Sequence, residues 1–170
     1  MKKISFFLVP AILLIMFTNT AVAQAPVPIV PIVEKTTWTD GEVRELAKVY
    51  ADKWVINQNN FLLVVWNESH FKAGAHNKTD SHKNSKGSHG PAQFASGTFK
   101  ANAAEMFKKG LTTKLYTDMY NPEQAFDVMG YMIANKKGRA WTGYRTCVLH
   151  EVIIHKGKQI KCYPLPAVTK

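Results

Sequence analysis

Glu68 closes an almost unbroken apolar run, Phe61-Leu62-Leu63-Val64-Val65-Trp66, with only Asn67 between. A run of this kind reads as a buried element, so an acid at its end is set partly inside a core. Desolvation disfavours the charged carboxylate, and Glu68 is therefore expected to keep its proton to higher pH than an exposed glutamate. A protonated carboxyl beside a cleft is the general acid that cleavage of a glycosidic bond requires. The blander reading of the same residue is an acid at a helix end that pairs with a nearby lysine.

Hydrolysis of such a bond ordinarily needs a second carboxylate, about 5–5.5 Å from the first in retaining enzymes and about 6.5–9.5 Å in inverting ones. Of the 12 acidic residues, Asp80 is the best placed in sequence, in the polar stretch after Glu68. Its neighbours Lys78, His82 and Lys83 point to an exposed, ionised side chain, and its plain role is that of a turn residue. His70, His76, His82 and His89 fall within the same region, which suggests a metal-dependent nuclease whose basic surface grips phosphate. Their spacings of six, six and seven residues lack the tight pairs of zinc sites, and no metal or other cofactor is expected.

The elements that must position Glu68 can be read from local signals. Thr39 with Glu42 three residues on forms a capping box. Val43, Leu46, Ala47, Tyr50 and Trp54 then share one helical face. Asn57 to Asn60 should break that helix, and Phe61 to Asn67 should form a second, buried one with Glu68 in its last turn. From Lys72 to Pro91 the chain is polar and without helical period, so irregular structure with a short hairpin is expected. Helical patterning returns from Ser96 to Lys109 and stops at Gly110. Asn121 can cap a further helix with Pro122 at its first position, ending before Gly138. Val148 to His155 and Lys158 to Tyr163 flank Lys156-Gly157 as a two-stranded hairpin. The expected class is α+β, mainly α-helical, with a small β and loop region after the helix that carries Glu68.

The chain has 170 residues and a formal net charge of +10. Lys2 and Lys3, the apolar stretch Ile4 to Phe17 and the small residues Ala21-Val22-Ala23 have the pattern of a secretory signal peptide over 1–23, an uncleaved anchor being the alternative. A proline-rich tether over 24–37, a catalytic domain over 38–146 and a tail over 147–170 are expected to follow. Loss of Lys2 and Lys3 would leave +8, a balance suited to anionic polymers such as cell wall, nucleic acid or lipid head groups. Cys147 and Cys162 are the only cysteines, and in an exported protein they should pair. Closing a loop of about 15 residues stabilises by roughly 3 kcal/mol in the chain-entropy account.

The order Trp66-Asn67-Glu68-Ser69-His70-Phe71, then Gly87-Ser88-His89-Gly90-Pro91-Ala92-Gln93-Phe94, then Asn121-Pro122-Glu123-Gln124 leading to Gly130-Tyr131-Met132, resembles the lysozyme-like soluble lytic transglycosylases. The resemblance spans about Trp38 to Trp141. It departs from the family at Gly90-Pro91-Ala92-Gln93, where Gly-Leu-Met-Gln is usual, and the tail lies outside it. It implies a lysozyme-like fold and cleavage of the β-1,4 bond between N-acetylmuramic acid and N-acetylglucosamine in peptidoglycan. Glu68 matches the catalytic acid/base, Ser69 the serine after it, Gln93 the glutamine lining the sugar cleft, and Tyr131 the tyrosine facing the acid. A glutamate raised by an apolar pocket is the arrangement established for lysozyme. The implied enzyme is exported, periplasmic or extracellular and monomeric. Its partner is the glycan strand rather than nucleic acid, and it is not stably inserted in a membrane. A muramidase using Asp80, and a wall-binding module without catalysis, are the alternatives.

Overall fold

In the computed structural model, residues 35–79 and 86–167 are described. The expected signal peptide, most of the proline-rich tether and Asp80 lie outside those residues. Helix α1, Asp40–Lys53, starts at the expected capping box. The Thr39 hydroxyl accepts from the Glu42 N–H, and the Glu42 carboxylate accepts from the Thr39 N–H at 2.9 Å. Its buried face carries Val43, Ala47, Tyr50 and Ala51.

Helix α2, Gln58–Ser69, begins three residues before the expected start. Asn57 is a cap rather than a breaker, because its side chain accepts from the Asn60 N–H at 3.1 Å. Phe61, Leu62, Val64 and Val65 are buried. The helix ends where the Ser69 hydroxyl turns back to the Val65 carbonyl and His70 enters the left-handed region at φ 55°.

A small antiparallel pair follows, β1 His76–Asn77 with β2 Ser88–His89, in the register His76 opposite His89. Gly90 then turns the chain at φ 73°, where a Cβ would stand 1.9 Å from the Met119 carbonyl oxygen. Only glycine permits that approach. Helix α3 is Ser96–Lys108, and helix α4 is Pro122–Ala134, capped by Asn121 onto the N–H groups of Glu123 and Gln124. A 3₁₀ turn, Gly138–Ala140, and a π-helical turn, Tyr144–Val148, lead to β3 Ile153–His155 and β4 Lys158–Ile160. The terminal hairpin is therefore shorter than expected. Val148 belongs to the π turn, which closes when the Leu149 N–H reaches the Tyr144 carbonyl. The described chain is thus mixed α and β, with helix dominant and two-stranded sheets only. No described helix is long and apolar enough to cross a membrane.

Helix α4 is the centre of the molecule, with every residue from Pro122 to Met132 buried, which a helix between packed layers requires. α1 lies against one side of it and α3 against another, and α2 packs on α1 and on the π turn. A fully buried acid sits inside this core. Asp127 has no exposed surface, and its carboxylate accepts from Lys53 Nζ at 2.8 Å, the Trp54 indole N–H at 2.8 Å and the Tyr116 hydroxyl at 2.7 Å. The Cys147–Cys162 disulfide ties the π turn to the strand exit after β4. From there the tail returns to the domain, with Leu165 on the core and the Pro166 carbonyl accepting from Arg44 at 3.5 Å. Truncating the buried acid leaves Lys53 uncompensated, so Asp127→Ala should lower unfolding free energy by about 3–5 kcal/mol, read from urea midpoints.

Candidate functional site

Glu68 stands in the last turn of α2, half-buried. Its Oε1 accepts a hydrogen bond of 2.8 Å from the backbone N–H of Gly143, 75 residues away in sequence. Gly143 is there because it has no side chain. A Cβ would lie 3.0 Å from Oε1 of Glu68 and 3.4 Å from Cβ of Asn67. The Gly143 backbone therefore rests directly on the final turn of α2 and fixes which way the carboxyl faces.

Trp141 anchors that segment. Its ring is 4% exposed and meets Phe94 edge-on, with centroids 5.3 Å apart. Its indole N–H donates to the Ala92 carbonyl at 2.6 Å. The turn Gly90-Pro91-Ala92-Gln93 and the N–H that holds Glu68 are thus joined through one indole. Gln93 adopts φ 48°, and its amide nitrogen donates to the carbonyls of Ala75 at 3.2 Å and Gly90 at 2.9 Å. Those bonds lock the turn to the chain leaving α2. The structure thus links Glu68 to the Gln93 turn through the Trp141–Gly143 segment, while the Gln93 amide itself bonds to backbone carbonyls.

Ser69 is buried, and its hydroxyl serves the Val65 carbonyl at 3.1 Å as an intrahelical bond. Tyr131 is directed elsewhere than the expected face toward the acid. Its ring meets Trp54 edge-on at 5.6 Å, and its hydroxyl accepts from Lys109 at 2.8 Å. It is part of the packing among α1, α3 and α4. The same corner holds Glu105 between Lys109 and Lys137, whose hydrogen bonds draw that carboxyl down to about 2 and, in return, push Lys109 up to about 12.

Asp80 and His82 lie outside the described residues. His76 and His89 stack across β1 and β2 with centroids 4.3 Å apart, and His89 Nδ1 shares a 2.7 Å bond with the Tyr120 hydroxyl. Among the described residues no group of three His, Cys, Asp or Glu side chains gathers to hold a metal. A groove of about 670 Å³ opens nearby, with Trp38, Ala73, Gly74, Asp118, Tyr120 and Asn121 in its wall. Its wall runs from Lys35 to Trp38 and takes in Ala73, five residues past Glu68, but Glu68 is not part of its lining.

Sequence reasoning missed Gly143 as a partner of the acid, Trp141 as the anchor of the Gly143 segment, and Asn67 as the residue that receives the tail. The Asn67 side-chain oxygen accepts from the Tyr163 N–H at 2.8 Å, and its amide donates to the Tyr163 carbonyl at 3.0 Å. No local pattern signals contacts over 75 or 96 residues. The one cue was a glycine two residues after a tryptophan beyond the last helix. No protein-family model matches the chain, and no curated protein or solved structure matches it.

The histidine pair gives the region around the β1–β2 sheet a pH dependence of known sign. His89 is held below its ordinary 6.5, first by burial and then by the charge of His76 stacked on it. The unfolded chain takes up that proton more readily than the fold. The contribution of His89 is therefore fully present above pH 6.5 and is lost as pH falls through its folded value. Denaturation midpoints should decline below pH 6.5, and His89→Asn should flatten that decline.

Proposed function

We propose that this chain is an exported lytic transglycosylase that cleaves the N-acetylmuramic acid to N-acetylglucosamine β-1,4 bond of peptidoglycan, with Glu68 as its single acid/base. The observation that carries this reading is the half-buried carboxyl at the end of a buried helix, with one oxygen fixed by the Gly143 N–H. The order of elements also supports it: a helix ending in the acid, a small antiparallel pair, then two helices. So does the positive balance, +10 for the whole chain and +8 without Lys2 and Lys3, suited to an anionic wall.

In this mechanism Oε1 of Glu68 accepts the Gly143 N–H throughout, and the carboxyl supplies a proton. That proton passes to the glycosidic oxygen as its bond to C1 breaks, and an oxocarbenium-like centre develops at C1. The substrate's own acetamido oxygen stabilises the centre, so no second protein carboxylate is needed. The carboxylate then takes the proton of the sugar's 6-hydroxyl while O6 bonds to C1. Glu68 regains its proton, the departing sugar keeps the first one as its 4-hydroxyl, and no water is consumed. Gln93 supports the site by locking the turn beside it, and Ser69 by closing the helix beneath it. Within this reading Tyr131 acts on the packing of α4, not on the carboxyl.

Mass spectrometry of peptidoglycan digests tests the proposal. Anhydromuropeptides are the expected product; water-added products would replace transglycosylation by hydrolysis, and intact strands would overturn the reading. Glu68→Gln should reduce cleavage by about 10²–10⁴-fold, the range of general acid–base catalysis, with the fold retained. Gly143→Ala should reduce it by about 10- to 100-fold, because the new methyl displaces the carboxyl. Its α-region backbone accepts alanine, so stability should change by less than about 1 kcal/mol.

A further inference from the structure

We infer that the C-terminal tail supplies a sugar subsite beside Glu68, in which the ring of Tyr163 is a stacking platform for an N-acetylhexosamine of the glycan strand. This rests on the proposed function and adds a residue that the resemblance to transglycosylases does not cover.

The backbone at Tyr163 is fixed to the helix that carries the acid. Asn67, the neighbour of Glu68, exchanges two hydrogen bonds with it, the Tyr163 N–H to Oδ1 at 2.8 Å and Nδ2 to the Tyr163 carbonyl at 3.0 Å. The side-chain amide thereby reproduces a β-bridge, and Nδ2 also donates to the Leu63 carbonyl at 2.8 Å. One residue earlier, Cys162 is bonded to Cys147 in the π turn, four residues beyond Gly143. Two residues later, Leu165 packs on the core. Gly143 is the meeting point, since both Glu68 and Asn67 lie against it.

The ring of Tyr163 behaves differently from its backbone. The residue is 62% exposed, although its main chain is held at the clamp and by the disulfide next to it. This aromatic side chain leaves the backbone at a point that the clamp fixes, so part of the ordering cost of a platform is met before a ligand arrives. Its apolar face suits the C–H face of a pyranose, and its hydroxyl stays wet. Asn67 directly precedes Glu68 on α2, so the clamp holds the tail backbone at the helical turn that carries the acid. Neighbouring Lys158 and Lys161 are exposed and suit the anionic character of the wall.

The test uses the full chain. In a Glu68→Gln background, which binds without turnover, a chito-oligosaccharide is titrated by calorimetry with Tyr163 intact and with Tyr163→Ala. Binding should weaken by about 5- to 100-fold, the loss typical of one stacked ring, and Tyr163→Trp should restore it while Tyr163→Leu should not. Equal affinity with and without the ring overturns the subsite, as does rescue by leucine. In the otherwise wild-type enzyme, Tyr163→Ala should raise KM for soluble glycan with little change in kcat. An unchanged KM with active cleavage overturns the platform and leaves the proposed function standing. A wild-type chain that neither binds nor cleaves glycan overturns both.

Discussion

The carboxylate of Asp127 is the interaction on which the remaining structure depends. Placing a charge where no solvent reaches it costs several kcal/mol unless donors surround it, and three do. Lys53 and Trp54 come from the end of α1 and Tyr116 from the segment before α4, so these parts must assemble together around α4. Burial and then the negative charge of Asp127 push the hydroxyls of Tyr50 and Tyr116 well above the ordinary tyrosine range, keeping both neutral and Tyr116 a donor to the carboxylate. With α1 fixed on α4 in this way, α2 has a rigid surface to pack on, and the position of Glu68 follows.

The site is closed by a second set of contacts that arrives from the other end of the chain. Trp141 reaches the Ala92 carbonyl, Gly143 reaches Glu68, and Tyr163 reaches Asn67. Each is a backbone group meeting a side chain, which fixes direction as well as distance. The disulfide lies between the second and third of these contacts and holds the π turn against the returning tail. A segment that resembles an appendage in sequence is therefore built into the wall of the site.

Local signals were legible wherever a few neighbouring residues decide the outcome. The capping box at Thr39, the cap and proline opening α4, and the end of α2 at Glu68 and Ser69 all depend on side chains bonding to backbone within one turn. Asn57 was readable as punctuation but not as to which side it served, because asparagine both ends and caps helices. Tyr131 shows a different limit. Its apolar neighbours place it on a buried helix, yet only the packing of α3 determines that Lys109, and not the acid, meets its hydroxyl.

The sequence by itself determined the presence of the helices, the caps of α1 and α4, the pairing of the two cysteines and the acid at the end of an apolar run, since period, capping and composition act over short range. The tertiary structure alone decided what touches that acid. A backbone N–H from Gly143 meets it across 75 residues, and its neighbour Asn67 clamps the tail across 96. Contacts of that span follow from how whole elements pack around a shared core, which no window of neighbouring residues encodes.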